Sequence, residues 1–334
     1  MSVIKFAEPP SIISGAAVVG KKEHEGPMGD LFDFHDKSET FGMDTWEKSE
    51  SEMQRIAVNS ALFKAKASVD DIDAIYAGDL INQCTSSSYG ILSFKKPYFG
   101  IYGACSTFAE GIILASMSVA AGYYNKAAVV TSSHFCSAER QFRFPIEYGG
   151  QRTPTAQRTV TGAGSVIISH DGNGPYILDV FPGRAVDKGI SDVNNMGAAM
   201  APAAIDTFME YFEKTGKRPS DFDLILTGDL GREGHRIMCD FMSAHGYDMT
   251  KNFNDCGLLI FNCEEQDVHS GGSGCGCSAS VFSSKIINDL KSGKLHNILF
   301  AATGALMSPS SLKQKLPIPA IAHLIHISTD KEAR

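Results

Sequence analysis

The run Gly103–Thr107, Gly-Ala-Cys-Ser-Thr, sets a cysteine at the start of a small, apolar stretch that continues to Gly122. Gly103 and Ala104 allow a tight turn, and Ser106 or Thr107 can cap a helix. Cys105 then stands at a helix N-terminus, where the dipole and free N–H groups favour a thiolate or a bound anion. From these residues alone, Cys105 is either a nucleophile or a small buried residue that begins a helix. A second glycine-rich turn, Ser270–Gly276, carries Gly274 and Cys275, with His269 just before it. His269 and His134 are each either a partner for Cys105 or a hydrogen-bonded loop histidine. Arg140, Arg143, Arg152 and Arg158 fall in one stretch with Gln151 and Gln157. Such arginines pair with a carboxylate through two bonds, or they hold a surface loop or subunit contact. Cys256, Cys263, Cys275 and Cys277 lack the close pairing of a tetrahedral zinc site, so no metal is expected. The turn Gly271–Gly276 has no lysine and is not a phosphate loop.

The elements that must position these residues are short apolar runs alternating with helical patterns. Ser11–Gly20, Ala127–Ser133, Ala163–Ser169 and the runs at 176–182, 222–228 and 295–304 read as strands covered on both faces. Trp46–Lys66, Ser106–Ala121 and Ser278–Leu290 carry apolar residues at helical spacing. The alternation predicts an α/β fold with a mostly parallel sheet. An internal repeat adds to this. Asp71–Leu80 and Asp221–Leu230 agree at six of ten positions, including Gly78/Gly228 and Asp79/Asp229. A weaker echo pairs Gly103 with Gly274 and Gly122 with Gly293. The chain reads as a duplicated unit, 1–172 and 173–334, dividing at the turn Asp171–Gly174. Two such halves usually build a site where they meet.

The 334 residues are 43% hydrophobic with net charge −8, ordinary for a folded domain and unsuited to nucleic acid. No apolar run reaches the ~18 residues of a membrane span. Pro9 and Pro10 interrupt any signal-peptide pattern, so an intracellular protein with reduced cysteines is expected. The acidic run Asp36–Glu52 reads as a solvated loop and helix start, and Pro309–His323 as an irregular surface insertion.

The cysteine–helix segment Gly103–Gly111, the glycine-rich strand Thr159–Ser169 and the order of the remaining motifs resemble the thiolase superfamily, which includes the ketoacyl synthases. The resemblance implies a five-layered αβαβα fold made of two related halves with mixed sheets. Longer stretches at 140–169, 228–242, 255–262, 271–282 and 303–327 resemble the stage V sporulation protein AD family of spore-forming bacteria. That resemblance implies a non-catalytic protein that binds dipicolinic acid (pyridine-2,6-dicarboxylate), with no cofactor. It would act with the membrane components of the SpoVA machinery, which moves dipicolinate, largely as its calcium chelate, into the developing spore and out at germination. It would be a soluble cytoplasmic protein, peripheral to the forespore or spore inner membrane, and a homodimer.

Condensing enzymes of the superfamily use a thiolate and two neutral hydrogen-bond donors. By the resemblance, Cys105 fills the nucleophile position, Gly228 the histidine position with Asp229 beside it, and Cys275 the second donor position. Glycine donates nothing from a side chain, an aspartate opposes developing negative charge, and cysteine is a weak donor. The residues expected to line a ligand pocket are therefore Cys105, Gly228, Asp229, His269, Gly274, Cys275, Arg143 and Arg158. The rival expectation is an acyl-thioester condensing enzyme using Cys105.

Overall fold

The computed structural model describes residues 1–142 and 152–333. Setting aside the short strands Ile4–Lys5, Phe34–Asp36 and Arg158–Thr159, the first part of the chain supplies β1 (Ser11–Gly20), β2 (Ala74–Gly78), β3 (Tyr98–Gly100), β4 (Lys126–Ser133) and β5 (Gly162–Ser169). They pair in the order β3-β2-β4-β5-β1. There follow β6 (Tyr176–Phe181), β7 (Leu224–Thr227), β8 (Phe253–Asp255), β9 (Asn297–Ala305) and β10 (Ala320–Ser328). These pair in the order β8-β7-β9-β10-β6. In each run the first three strands are parallel and the last two joins antiparallel. The sheets are therefore mixed rather than mostly parallel, because β5 and β10 return without a crossover to a parallel neighbour. The two runs meet where Ser11 of β1 pairs with Tyr176 of β6.

Six helices cover these strands: α1 (Trp46–Lys64), α2 (Thr107–Ala120), α3 (Phe135–Phe142), α4 (Met196–Thr215), α5 (Gly231–Ala244) and α6 (Cys275–Val281). A π-helical turn, Phe282–Ile286, carries α6 on into Ile287–Lys291. Local sequence fixes several ends. Thr45 caps α1 by accepting from the Lys48 N–H. Asn195 caps α4 in the same way, and Gly216, at φ +71°, closes it. The predicted irregular stretch at 309–323 contains a short helix, Pro309–Lys313, and the start of β10.

α1 packs on β1, β4 and β5, while α4 packs on β9 and β10 with α5 alongside. α2 and α6 lie between the sheets, α2 touching β2, β4 and β5 on one side and β9 and β10 on the other. That gives five layers: helix, sheet, helix, sheet, helix. Phe108 of α2, Phe282 beyond α6 and Phe300 of β9 are fully buried against one another, with ring centroids 4.7–6.3 Å apart. Burying each such ring contributes roughly 1.5–3 kcal/mol. This cluster joins the two sheets directly beneath the N-terminus of α2.

Candidate functional site

Cys105 sits on the turn between β3 and α2. Ala104 holds a left-handed φ of +53° there. The hydroxyls of Ser106 and Thr107 turn back onto the Gly103 and Ala104 carbonyls, so neither makes the expected side-chain cap. β9 closes over the turn. A side chain at Gly304 would overlap the Gly103 carbonyl oxygen, so only glycine permits this approach.

Asp229, just past β7, is buried beside Cys105 and receives three donors. The Thr303 hydroxyl donates at 2.9 Å, the Ser273 hydroxyl at 3.0 Å and the Gly274 N–H at 2.9 Å. Gly274 reaches that position with φ +103°, which a side chain would strain. Ser273 Oγ lies 3.9 Å from the Cys105 sulfur. Burial is the main cause that pushes the Asp229 carboxyl up to about 6, against the Cys105 thiol and Gly274 N–H that hold it down. Burial, then the Asp229 charge, pushes the Cys105 thiol well above its usual range. Burial first, and the Asp229 charge after it, thus oppose the thiolate that a helix N-terminus favours.

The expected order of Gly228 and Asp229 is corrected too. A Cβ on Gly228 would face Ala302 and the Thr303 nitrogen of β9, not the space around Cys105. Asp229 is the residue that faces the thiol. Cys275 is fully buried and donates its thiol to the Ser132 carbonyl at 2.9 Å, packing behind Leu80 and Ala138.

Cys105 lines an open-mouthed cavity. Its walls are largely apolar: Leu80, Ala138, Phe142, Met196, Met200 and Met307 among them. Polar atoms come from Tyr102, Glu139, Gln157, Thr159 and Ser273. No histidine, lysine or arginine among the described residues lines it. His134 is buried, with Nε2 2.9 Å from the Glu39 carbonyl and Nδ1 accepting from the Cys136 N–H. His269 lies 3.5 Å from Asp267. Arg158 lies over the Phe135 ring at 3.8 Å, Arg140 pairs with Glu47, and Arg152 donates to the Asp267 carbonyl. Arg143 lies outside the described residues. Among the described residues, no three potential metal ligands converge, and no helix is long and apolar enough to cross a membrane. All eight cysteines are free thiols.

A family model described as stage V sporulation protein AD (SpoVAD) matches residues 1–328. The stage V sporulation protein AD of Bacillus subtilis (strain 168) is 44% identical over 318 residues, covering 95% of this chain and 94% of that protein. The chain belongs to the SpoVAD family. Solved structures extend the likeness of this SpoVAD-family chain to a wider fold. It is similar to cerulenin-bound OleA of Xanthomonas campestris, with TM-score 0.64 and 14% identity over 97% of this chain and 99% of that one. It is also similar to 3-oxoacyl-[acyl-carrier-protein] synthase III of Aquifex aeolicus, with TM-score 0.57 and 14% identity over 96% and 99%. Identity at that level speaks for the fold alone, and the fold is thiolase-like, αβαβα. In this SpoVAD-family chain, sequence reasoning named Cys105, which lines the cavity, and Asp229, which lies buried beside it, but none of the apolar walls. Met196, Met200, Val193 and Met307 arrive from the second half of the chain. They carry no chemical signature, and only the topology brings them to Cys105.

Proposed function

We propose that this chain binds dipicolinate in the cavity at Cys105 and performs no catalysis. The observation that carries this reading is Asp229 buried beside the Cys105 thiol, where a condensing enzyme needs a neutral donor for a developing oxyanion. A largely apolar cavity with a few hydroxyl and amide groups suits an aromatic diacid. The lining holds Glu139 and, among the described residues, no cationic side chain, which favours the charge-neutral calcium chelate over the bare dianion. Carboxylate and hydroxyl oxygens there are ordinary calcium ligands. Calorimetric titration with dipicolinate, with and without calcium and with benzoate as control, tests the reading. Saturable binding specific to dipicolinate supports it, and absence of binding in both forms overturns it.

The second reading, an acyl-thioester condensing enzyme, draws on the cavity at Cys105 and the thiolase-like fold. It requires a mass increase at Cys105 when acyl-CoA is supplied.

We read the two five-strand runs as repeats of one unit, residues 1–172 and 173–334. Their matching strand order supports this, as does the placement of Asp79 and Asp229 just beyond the equivalent strands β2 and β7. We also assign the chain to a homodimer formed along β3, whose outer edge is unpaired and flanked by the exposed Phe99, Leu114, Met117 and Tyr123. The SpoVA membrane proteins are its proposed partners. They would hold a soluble cytoplasmic protein against the forespore or spore inner membrane for dipicolinate uptake and release.

A further inference from the structure

Behind the cavity wall lies a second buried carboxyl that the site itself does not use. Glu50, on α1, is fully buried. Its oxygens lie 2.9 Å from the Ser132 hydroxyl of β4 and 2.9 Å from the Ser137 hydroxyl of α3. Gln54, one turn on, donates its amide to Ser132 at 2.7 Å and to Ser87 at 2.9 Å. Ser87 in turn donates to Asp79 through its hydroxyl at 2.6 Å and its N–H at 2.8 Å. The Ile81 N–H supplies Asp79 with a third donor at 2.8 Å.

This chain of contacts ties together the segments that form one side of the cavity. Asp79 leads into Leu80, which lines it, and Ser137 precedes Ala138, Glu139 and Phe142, which line it from α3. Gln141 fastens the same two segments from the front, donating to the Leu80 carbonyl and accepting from the Asn82 N–H. Ser132 also gives its carbonyl to the Cys275 thiol.

Asp79 is held by two backbone N–H groups, which can only donate, whereas Glu50 meets hydroxyls, which can turn to accept, so of the two it is Glu50 that can carry a proton without losing a partner. Asp79 has three donors and takes the charge. A neutral Glu50 donates to Ser137, which donates onward to the His134 carbonyl at 3.1 Å. The groups facing Glu50 are Asp79, Ser86, Ser132, Ser137 and the Cys275 thiol. Glu47, one turn earlier on the same helix, is paired with Arg140. Among the described residues, none of the groups that act most on Glu50 is cationic.

We propose that Glu50 is a positioning residue: as a neutral acid it pins α3 and the Asp79 turn together, and loss of its proton to solvent releases that wall of the cavity. Two buried carboxylates then act on each other, and the arrangement relaxes by admitting water behind α3. Burial, then the Asp79 charge, pushes Glu50 up to about 8, which sets where release occurs.

The test needs no ligand in its first arm. Hydrogen exchange of the α3 amides, corrected for the chemical rate, is followed across about pH 7 to 9. Fluorescence of the single tryptophan, Trp46, is followed in parallel; it lies in the first turn of α1 with its ring 5.2 Å from that of His134. Wild type is expected to show a step near pH 8 in both. E50Q, which keeps the neutral shape, lacks it. Should E50Q fail to fold, D79N carries the test, because removing the facing carboxylate moves the step to lower pH. Identical profiles in wild type and the folded variants overturn the proposal.

The second arm rests on the reading of the cavity as a dipicolinate site. Apparent affinity should fall about tenfold between pH 7 and pH 9 in wild type and stay level in E50Q. If dipicolinate binds at no pH while the exchange step is present in wild type and absent in E50Q, Glu50 keeps its role and the ligand reading falls.

Discussion

The Asp229 carboxyl lies fully buried against the Cys105 thiol, and each group shifts the protonation of the other. Burial first, and the carboxylate after it, raise the thiol, while the thiol and the Gly274 N–H hold the carboxyl down against its own burial.

Removing that charge should wake the sulfur. In D229N the carboxylate that raises the thiol is gone, so more thiolate is present at any given pH. Alkylation of Cys105 by iodoacetamide, followed by intact mass, should quicken by about tenfold for each pKa unit recovered. An unchanged rate would show that burial alone governs Cys105.

The buried acids also set the pH dependence of stability. Asp229, Glu23 and Glu50 are raised to about 6, 7 and 8 from ordinary carboxylate values, burial being the first cause for each. The folded chain therefore holds protons that the unfolded chain has released. Stability from these groups is complete below their unfolded values and is lost as pH climbs through each folded value. Carboxylates that are lowered, such as Asp36 and Asp248, act in the opposite sense, but only at more acidic pH. The melting temperature should decline from about pH 5 to 8 and level off above. A rise over that window would contradict the assignment.

Phe108 should be among the costliest side chains to lose. It is fully buried and touches Phe282 and Phe300 where the sheets join. F108A should cost about 3–5 kcal/mol in urea unfolding. A loss under about 1 kcal/mol would mean that the layer between the sheets collapses to fill the space.

Charge placed on the open edge of β3 should separate a dimer. F99E is expected to sediment as a monomer with its melting temperature close to wild type, since Phe99 is 43% exposed in the single chain. A monomeric wild type at micromolar concentration would remove the proposed interface.

Long apolar strands were legible because burial on both faces leaves a continuous pattern. Ser11–Gly20 and Lys126–Ser133 agree with the sequence reading within a residue. The edge strands Tyr98–Gly100 and Phe253–Asp255 are three residues each, too short for any period to register. At the site, the repeat located Gly228 and Asp229 but not which of them faces the thiol, since one residue of register decides it. Arg140 and Arg152 are held by Glu47 and Asp267, partners far off in the chain that nothing local announces.

Gly304 seated on the Gly103 carbonyl has a wider consequence. The floor beneath Cys105 is a joint, half of it laid by each portion of the chain, and the walls above continue the division from Tyr102 to Met307. Any occupant would touch both sides and act as mortar between them. Its presence would register less as a local tightening than as a sharper, more concerted melting of the entire molecule.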